Sequence, residues 1–217
     1  MFHFFAAAVV LLVSYFLGCI NGSVMTSHFI IRDDVRRHGS GNAGLTNFYR
    51  TYGAKYALMV IAIDMGKTAV AALIGGYMFD HLAGDWVLGV LLAGLGCELG
   101  HMFPVFFGFK GGKGILSGST LLWFLDWRVA LIAWCLFAAL WLLSRYVSLG
   151  SICGAASMPF TSLLFLDLKW YHIVLCFLIA GLIIYCHRGN IQRLAHGTEN
   201  KFKWHVNPIN EDDAKKE

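Results

Sequence analysis

A series of long apolar runs divides this chain and constrains its fold more than any other feature. Most of the runs approach the length of about 20 residues that an α-helix needs to cross a bilayer. Apolar residues make up 58% of the chain and charged residues only 14%, which excludes an ordinary soluble domain. The sequence therefore predicts an all-α integral membrane protein with seven transmembrane helices. The predicted spans are residues 3–24, 54–79, 84–103, 113–127, 128–145, 149–166 and 170–187.

The basic residues are concentrated between alternate spans, and this distribution predicts the orientation of the bundle. With seven spans, one side of the membrane holds residues 25–53, 104–112, 146–148 and 188–217. These segments and the span ends beside them carry most of the Lys and Arg, so the positive-inside rule places them in the cytoplasm and the N-terminus outside. We expect a single membrane domain over residues 1–206 and a disordered polar tail over residues 207–217.

The first polar segment is rich in glycine and in short hydrogen-bonding side chains. It contains Ser40, Gly41, Asn42 and Arg50; glycine lets the backbone approach a ligand closely, and the arginine fork matches phosphate oxygens. Such a loop followed by a helix can hold an anion at the helix N-terminus, although a flexible polar connection is the alternative. Its glycine spacing also matches a dinucleotide fingerprint, but no buried strand precedes it, so that match is rejected.

A lysine surrounded by glycines separates the third predicted helix from the fourth. Gly111, Gly112 and Gly114 flank Lys113, so backbone N–H groups can approach an anion with little steric hindrance. The stretch is not a Walker A loop, because Phe107 stands where the first glycine belongs and Gly114 where Ser or Thr would bind magnesium. It therefore predicts a phosphate-binding loop without nucleotide hydrolysis.

The third polar segment begins where the last predicted helix leaves the membrane. His187 and Asn190 are three residues apart and share one face of a helical turn, which Arg193 continues. Basic residues beside a final membrane helix usually serve topology, but His187 and Asn190 are not needed for that purpose. Together, the three cationic segments predict a site that surrounds one or two phosphates, with an acyl chain held in the apolar bundle.

Three further features favour structural roles. Asp64 and Lys67 lie one turn apart in the second predicted helix, which favours an ion pair inside the bundle over a proton relay. His101 is open to two interpretations, a base or a hydrogen-bonded structural residue. The six cysteines fall within or at the end of apolar runs without CxxC spacing, so we expect them to be packing residues.

The three segments resemble the PlsY family, the bacterial acyl-phosphate:glycerol-3-phosphate acyltransferases. The resemblance rests on Gly39-Ser40-Gly41-Asn42 with Arg50, on Gly100-His101-x-Phe103-Pro104 with Gly111-Gly112-Lys113-Gly114, and on His187-Arg188-x-Asn190 with Gly197-x-Glu199. It implies a seven-helix enzyme of the bacterial cytoplasmic (inner) membrane that moves a fatty acyl group from acyl phosphate to the 1-hydroxyl of glycerol 3-phosphate. The products would be lysophosphatidic acid and inorganic phosphate, in phospholipid synthesis.

Carried over by motif, the resemblance also implies roles for individual residues. The implied catalytic residues are Ser40, Arg50, Lys113, His187 and Asn190. Those implied to bind substrate phosphate are Gly41, Asn42, Arg50, Gly111, Gly112, Lys113 and Gly114. Glu199 is implied to be a structural support, the role that the sequence itself favours for Asp64 and Lys67.

The implied donor determines what chemistry the protein must supply. An acyl phosphate is already an activated anhydride, so we expect no metal, no cofactor and no covalent nucleophile, only positioning and charge neutralisation. The base is either His187 or a substrate phosphate, and the resemblance favours the phosphate, with His187 and Asn190 as positioning residues. We expect a monomer in the lipid bilayer that binds acyl phosphate and glycerol 3-phosphate and no nucleic acid.

Three other interpretations agree less well with the sequence. His28 and Asp33 have the H-x4-D spacing of a different glycerolipid acyltransferase family, which uses thioester donors, but that family's other motifs are missing. A membrane transporter of a phosphorylated metabolite is the alternative function class; against it, the polar motifs crowd onto one face and the chain shows no repeated half. A purely structural scaffold leaves the glycine-lysine loop unexplained.

Overall fold

The computed structural model describes residues 2–204, and throughout that range the chain is helical without strands. This confirms the predicted all-α class. Short 3₁₀ or π turns occur at Ser27–Ile31, Val35–Arg37 and Val105–Phe107. The α-helices are α1 (Phe2–Gly18), α2 (Gly22–Thr26), α3 (Leu45–Tyr52), α4 (Ala57–Ala83), α5 (Trp86–Met102), α6 (Ile115–Leu125), α7 (Trp127–Ser144), α8 (Val147–Phe165), α9 (Trp170–Cys186) and α10 (Arg188–Ala195).

Within residues 2–204, five stretches are long and apolar enough to cross a membrane, and a bent helix pair raises the number to six. The five are His3–Ile31, Ala57–Ala83, Trp86–Phe107, Trp127–Ser144 and Val147–Phe165. The pair is α9 with α10, which meet at an angle of 59°. The fourth predicted span is α6, a helix of only 11 residues. The seven-span count and the orientation of the termini therefore remain predictions, and the predicted tail at 207–217 lies outside the described residues.

The first predicted span, residues 3–24, is interrupted. Helix α1 ends at Gly18, and α2 begins at Gly22, where the Asn21 side chain caps it by accepting a hydrogen bond from the Val24 N–H at 3.0 Å. A break inside a membrane frees backbone carbonyls that need donors. Lys67 supplies them, because its Nζ lies 3.1 Å from the Gly18 oxygen and 2.9 Å from the Ile20 oxygen.

Helix α5 is the centre of the bundle, and glycine lets its neighbours approach it. A Cβ at Gly96 would overlap the backbone of α1 at Leu11, and a Cβ at Gly100 would overlap α1 at Tyr15. Small residues spaced by four allow this kind of close helix contact in membranes. Because α5 ends at Met102, the packing also fixes the position of His101 and of the loop that follows.

A polar corner joins α6 to α7. Asp126 caps α7 by accepting a hydrogen bond from the Arg128 N–H at 2.8 Å, and the Arg128 guanidinium returns to the same carboxylate at 2.8 Å. The six cysteines are all unpaired, as expected of packing residues.

Candidate active site

The three polar segments meet at one end of the bundle around a cavity of about 510 Å³. We call this end the polar end; it comprises residues 38–50, 101–114 and 187–200. The cavity continues between α6, α7 and α8 into an apolar region. Polar side chains that line it include Ser40, Asn42, Asn47, Arg50, Asp64, His101, Lys113, Ser148, His187, Asn190, Arg193 and Glu199.

The first segment is held in shape by Asn47. Its Oδ1 accepts a hydrogen bond from the Ser40 N–H at 2.9 Å, and its Nδ2 donates to the carbonyls of Val35 and His38, each at 3.1 Å. Gly41 has a φ of 69°, a conformation that glycine adopts without strain. Helix α3 then begins after Gly44, which has no side chain to cap the first N–H groups. Gly44 and the first residues of α3 line the cavity, so the positive end of the helix dipole faces it.

The second segment is fastened by its glycines to the end of α5. The N–H groups of Gly111 and Gly112 donate to the carbonyls of Met102 and His101, each at 3.1 Å. These two amides are therefore engaged within the protein, and neither glycine is among the described residues that line the cavity. In this geometry they pack the backbone closely and project Lys113 into the cavity. That both glycines bind phosphate stays a prediction.

Gly114 is the turn between this loop and α6. Its φ of 80° favours glycine, and a Cβ there would overlap Oε2 of the buried Glu98. It makes no side-chain cap on α6, whose first residues line the cavity. The N-termini of α3 and α6 thus both face the same space, an arrangement that favours an anion.

The third segment connects Lys113 to a carboxylate through one amide. The Lys113 ammonium donates to Oδ1 of Asn190 at 2.6 Å, and Nδ2 of Asn190 donates to Oε1 of Glu199 at 2.7 Å. Glu199 also accepts hydrogen bonds from Ser148 at 2.8 Å and from Nε of Arg193 at 2.7 Å. Glu199 therefore joins α8 to α10, and Asn190 is oriented by opposite charges on its two sides.

His187 lies at the junction of α9 and α10, with its side chain buried against the cavity. Its Nδ1 is 2.8 Å from the carbonyl oxygen of Ile183. A carbonyl can only accept a hydrogen bond, so in the neutral ring the proton is on Nδ1 and Nε2 is an acceptor. The predicted sharing of a face with Asn190 places both side chains at the same cavity.

The polar end carries an excess of positive charge. Lys113, Arg50 and Arg193 surround Glu199, while Asp64 is paired with Lys67 at 2.8 Å. Burial and the nearby charge of Arg193 lower the pKa of Lys113 below its ordinary value. Burial favours a higher pKa for Glu199, but hydrogen bonds from Asn190, Ser148 and Arg193 outweigh it and lower the pKa. Three cations thus face one carboxylate, which suits a multiply charged anion.

The other half of the cavity is apolar, and glycines bring two of its walls together. Gly150 and Gly154 of α8 lie so close to α7 that a Cβ on Gly150 would press on the Phe137 backbone. Leu122, Ala133 and Met158 complete an apolar slot beyond the polar end, and its apolar lining suits a chain-like group. Its other described lining residues include Trp134, Phe137, Ala155 and Ile183.

The sequence matches one family over most of its length. A family model described as glycerol-3-phosphate acyltransferase matches residues 8–197. Curated proteins named glycerol-3-phosphate acyltransferase include one from Finegoldia magna, 39% identical over 88% of this chain and 93% of that protein. Another, from Syntrophomonas wolfei, is 40% identical over 90% of this chain and 96% of that protein. The chain belongs to the PlsY family of glycerol-3-phosphate acyltransferases.

Solved structures of the PlsY family have the same fold. The crystal structure of PlsY, an integral membrane glycerol 3-phosphate acyltransferase, in its glycerol 3-phosphate form is 36% identical with a TM-score of 0.80. It covers 91% of this chain and 96% of its own. The lysophosphatidic acid form gives a TM-score of 0.78 at 34% identity, over 91% and 95% of the two chains. The resemblance expected from the three motifs is therefore confirmed at the level of the family.

The structure brings the predicted catalytic side chains to one cavity, but three of the predicted phosphate-binding glycines do not line it. Gly41 lies beside the cavity and, like Gly111 and Gly112, is not among its described lining residues. Within residues 2–204, His28 and Asp33 of the H-x4-D spacing do not bond to each other. Asp33 instead bonds to His38 at 2.7 Å and to Tyr52 at 2.8 Å, while His28 is exposed.

Sequence reasoning missed Ser148 and the cavity face of Asp64 and His101. Ser148 donates to Glu199 at 2.8 Å from the first turn of α8. No motif surrounds Ser148, and the sequence shows only a polar residue near the start of a helix. The Asp64–Lys67 ion pair was predicted and is present at 2.8 Å, but its contact with His101 depends on how α4 packs against α5.

Proposed function

We propose that this protein transfers a fatty acyl group from an acyl phosphate to the 1-hydroxyl of glycerol 3-phosphate. The observation that carries the proposal is the cavity itself, in which Lys113 stands at a cationic end that continues into an apolar slot. Membership of the glycerol-3-phosphate acyltransferase family supports the acceptor. The glycerol 3-phosphate form of PlsY, at 36% identity, supports it further.

The charge at the polar end supports a donor that carries its own phosphate. Lys113, Arg50 and Arg193, with the N-termini of α3 and α6, provide more positive potential than a single phosphate requires. The phosphate of glycerol 3-phosphate and that of an acyl phosphate can share this region. Cations held between them offset the repulsion that otherwise keeps the two substrates apart.

The transfer is a direct displacement at the acyl carbon. The 1-hydroxyl oxygen of the acceptor forms a new bond to the acyl carbon, and the bond from that carbon to the phosphate oxygen breaks. The hydroxyl proton leaves with the released inorganic phosphate, so atoms and charge balance without a covalent enzyme intermediate. Among the lining serines, Ser148 donates to Glu199, and Ser119 and Ser151 donate to backbone carbonyls.

Two groups can receive the hydroxyl proton first. His187 presents Nε2 as an acceptor, and the phosphate of the donor is the other base. We favour the phosphate, because it must carry the proton at the end of the reaction in any case. His187 then orients the hydroxyl, and Asn190 holds the Lys113 ammonium in place through the 2.6 Å hydrogen bond.

The donor can be identified with purified protein in detergent. Palmitoyl phosphate and palmitoyl-CoA are supplied in parallel with radiolabelled glycerol 3-phosphate, and labelled lysophosphatidic acid and free phosphate are measured. We expect product only with palmitoyl phosphate, with one phosphate released for each acyl group transferred. Product with palmitoyl-CoA alone would overturn the donor assignment. Uptake of labelled glycerol 3-phosphate into proteoliposomes without any acylation would favour the transporter alternative.

A further inference from the structure

Behind the glycine loop, the cavity reaches two side chains that the chemistry above does not use. Asp64 of α4 and His101 of α5 both line it. Their residues are only 1% and 3% exposed, so each can be reached only from inside the cavity. Together with Lys67 they form a cluster, which we call the α4–α5 cluster.

Lys67 determines which nitrogen of His101 carries the proton. The Lys67 Nζ lies 2.8 Å from Nδ1 of His101, whereas Oδ1 of Asp64 is 3.6 Å from the same nitrogen. An ammonium has donors and no acceptor, so Nδ1 must be the acceptor in the shorter contact. A neutral imidazole then carries its proton on Nε2. His101 is thereby fixed as a hydrogen-bond donor through Nε2.

Nε2 of His101 lies against the glycine loop, at the edge of the cavity that His101 lines. A Cβ on Gly112 would run into Nε2, and Gly112 is joined to the His101 carbonyl by its own N–H at 3.1 Å. Within residues 2–204, no hydrogen-bond acceptor is assigned to Nε2. A group held beside Lys113, the next residue along the loop, therefore has this donor close to it.

Asp64 supplies the complementary acceptor. Its hydrogen bonds from the Gly22 N–H at 3.0 Å and from Lys67 at 2.8 Å both end on Oδ1. None of the described residues donates a hydrogen bond to Oδ2. A carboxylate oxygen has lone pairs for further donors, so Oδ2 can accept from a group in the cavity.

One donor and one acceptor on the same wall match the hydroxyl group, which both accepts and donates a hydrogen bond. A phosphate is disfavoured there by the negative charge of Asp64, and an apolar group would leave both atoms unsatisfied. We propose that Asp64 and His101 form a subsite for the secondary hydroxyl of the acceptor, which receives the His101 Nε2–H and donates to Oδ2 of Asp64. The identity of the acceptor as a glycerol phosphate rests on the proposed function.

The test compares two acceptors in the wild-type enzyme. The phosphate monoester of 1,3-propanediol keeps the primary hydroxyl and the phosphate of glycerol 3-phosphate but lacks the secondary hydroxyl. With palmitoyl phosphate as donor, we expect its kcat/KM to be about 10- to 100-fold lower, the loss typical of a hydrogen bond to a charged group together with an unpaired partner. Equal use of the two acceptors would overturn the subsite while leaving the proposed function intact.

Two variants of His101 then assign the discrimination to this residue. His101→Phe keeps an aromatic ring without the donor, and we expect it to use both acceptors equally. His101→Gln places an amide N–H near the position of Nε2, and it should restore part of the preference. His28→Phe, at an exposed histidine outside the cavity, is the matched control and should discriminate as the wild type does.

The possible results separate the two proposals. Full discrimination in His101→Phe would overturn the assignment, and the wild-type comparison decides the existence of the subsite even if that variant does not fold. If neither acceptor is acylated from any donor, the proposed function fails and the acceptor assignment fails with it.

Discussion

Two clusters of charge face the same cavity, and they are satisfied in opposite ways. In the α4–α5 cluster, the three N–H groups of Lys67 are shared among Asp64, His101 and two backbone carbonyls, so the cation is satisfied by the protein. At the polar end, Lys113 has one amide oxygen as its partner, and three cations share one carboxylate. The first cluster therefore serves the fold and orients His101, whereas the second is left with positive charge for a ligand.

The two histidines of the cavity also differ, in which ring nitrogen carries the proton. His101 accepts at Nδ1 from Lys67 and so presents a donor, while His187 donates from Nδ1 to the Ile183 carbonyl and so presents an acceptor. The neighbour of each Nδ1 determines what the other nitrogen offers. One type of side chain thus contributes two different functions to one cavity.

The strongest test of the difference between the two clusters is to remove the carboxylate of the α4–α5 cluster. Asp64→Asn leaves the ammonium of Lys67 buried without a counterion, and we expect it to lower the free energy of unfolding by about 3–5 kcal/mol. The decrease is measured as a fall in the melting temperature of the protein in detergent. Adding Lys67→Met should recover part of the loss, but not all, because the Gly18 and Ile20 carbonyls then lack a donor. An unchanged melting temperature in Asp64→Asn would contradict the assignment of this cluster to the fold.

The second change tests the polar end. Lys113→Ala should lower kcat/KM for glycerol 3-phosphate by about 100-fold or more, since a partly buried charged contact of about 2–5 kcal/mol is lost. The melting temperature should change little, because no buried charge is left unpaired. Lys113→Arg retains the charge and should keep more activity. Lys110→Ala is the matched control, three residues away and exposed, and should act like the wild type. If Lys113→Ala lost stability instead of activity, the contrast between the clusters would be wrong.

The smallest effect is expected at His187. His187→Asn keeps an N–H that can donate to the Ile183 carbonyl, and we expect kcat to fall by about tenfold or less if the donor phosphate is the base. Loss of a general base costs about 10²- to 10⁴-fold. The measurement is a pH–rate profile of the variant beside the wild type. A loss in the larger range, with an unchanged KM for glycerol 3-phosphate, would make His187 the base.

Much of the polar end could be predicted from local patterns. A spacing of three residues places His187 and Asn190 on one face of a helical turn, and the glycines around Lys113 indicated a phosphate-binding loop. These patterns depend only on residues close together in the sequence, so they can be recognised without knowing how the helices pack. The use of the glycine amides was not predictable, because their partners, the carbonyls of His101 and Met102, belong to the end of another element.

The α4–α5 cluster could be predicted only in part, for a physical reason. The i, i+3 spacing gave the Asp64–Lys67 pair, but the other partners of Lys67 are carbonyls released where α1 stops at Gly18. A long apolar run does not show where a membrane helix will break. The contact with His101 also requires that α5 packs against both α1 and α4. Glycines permit this packing, but their presence in the sequence does not predict it.

The shortness of α6 has a consequence for where the reaction takes place. Its 11 residues rise about 16 Å, roughly half the thickness of the hydrocarbon layer. Lys113 stands at one end of this helix and the Asp126 corner at the other, so both cannot lie at opposite water boundaries. The loop that carries Lys113 is the end of α6 that lines a cavity. Under the proposed function, this cavity would hold the phosphates below the membrane surface, and an apolar donor would reach them without leaving its leaflet.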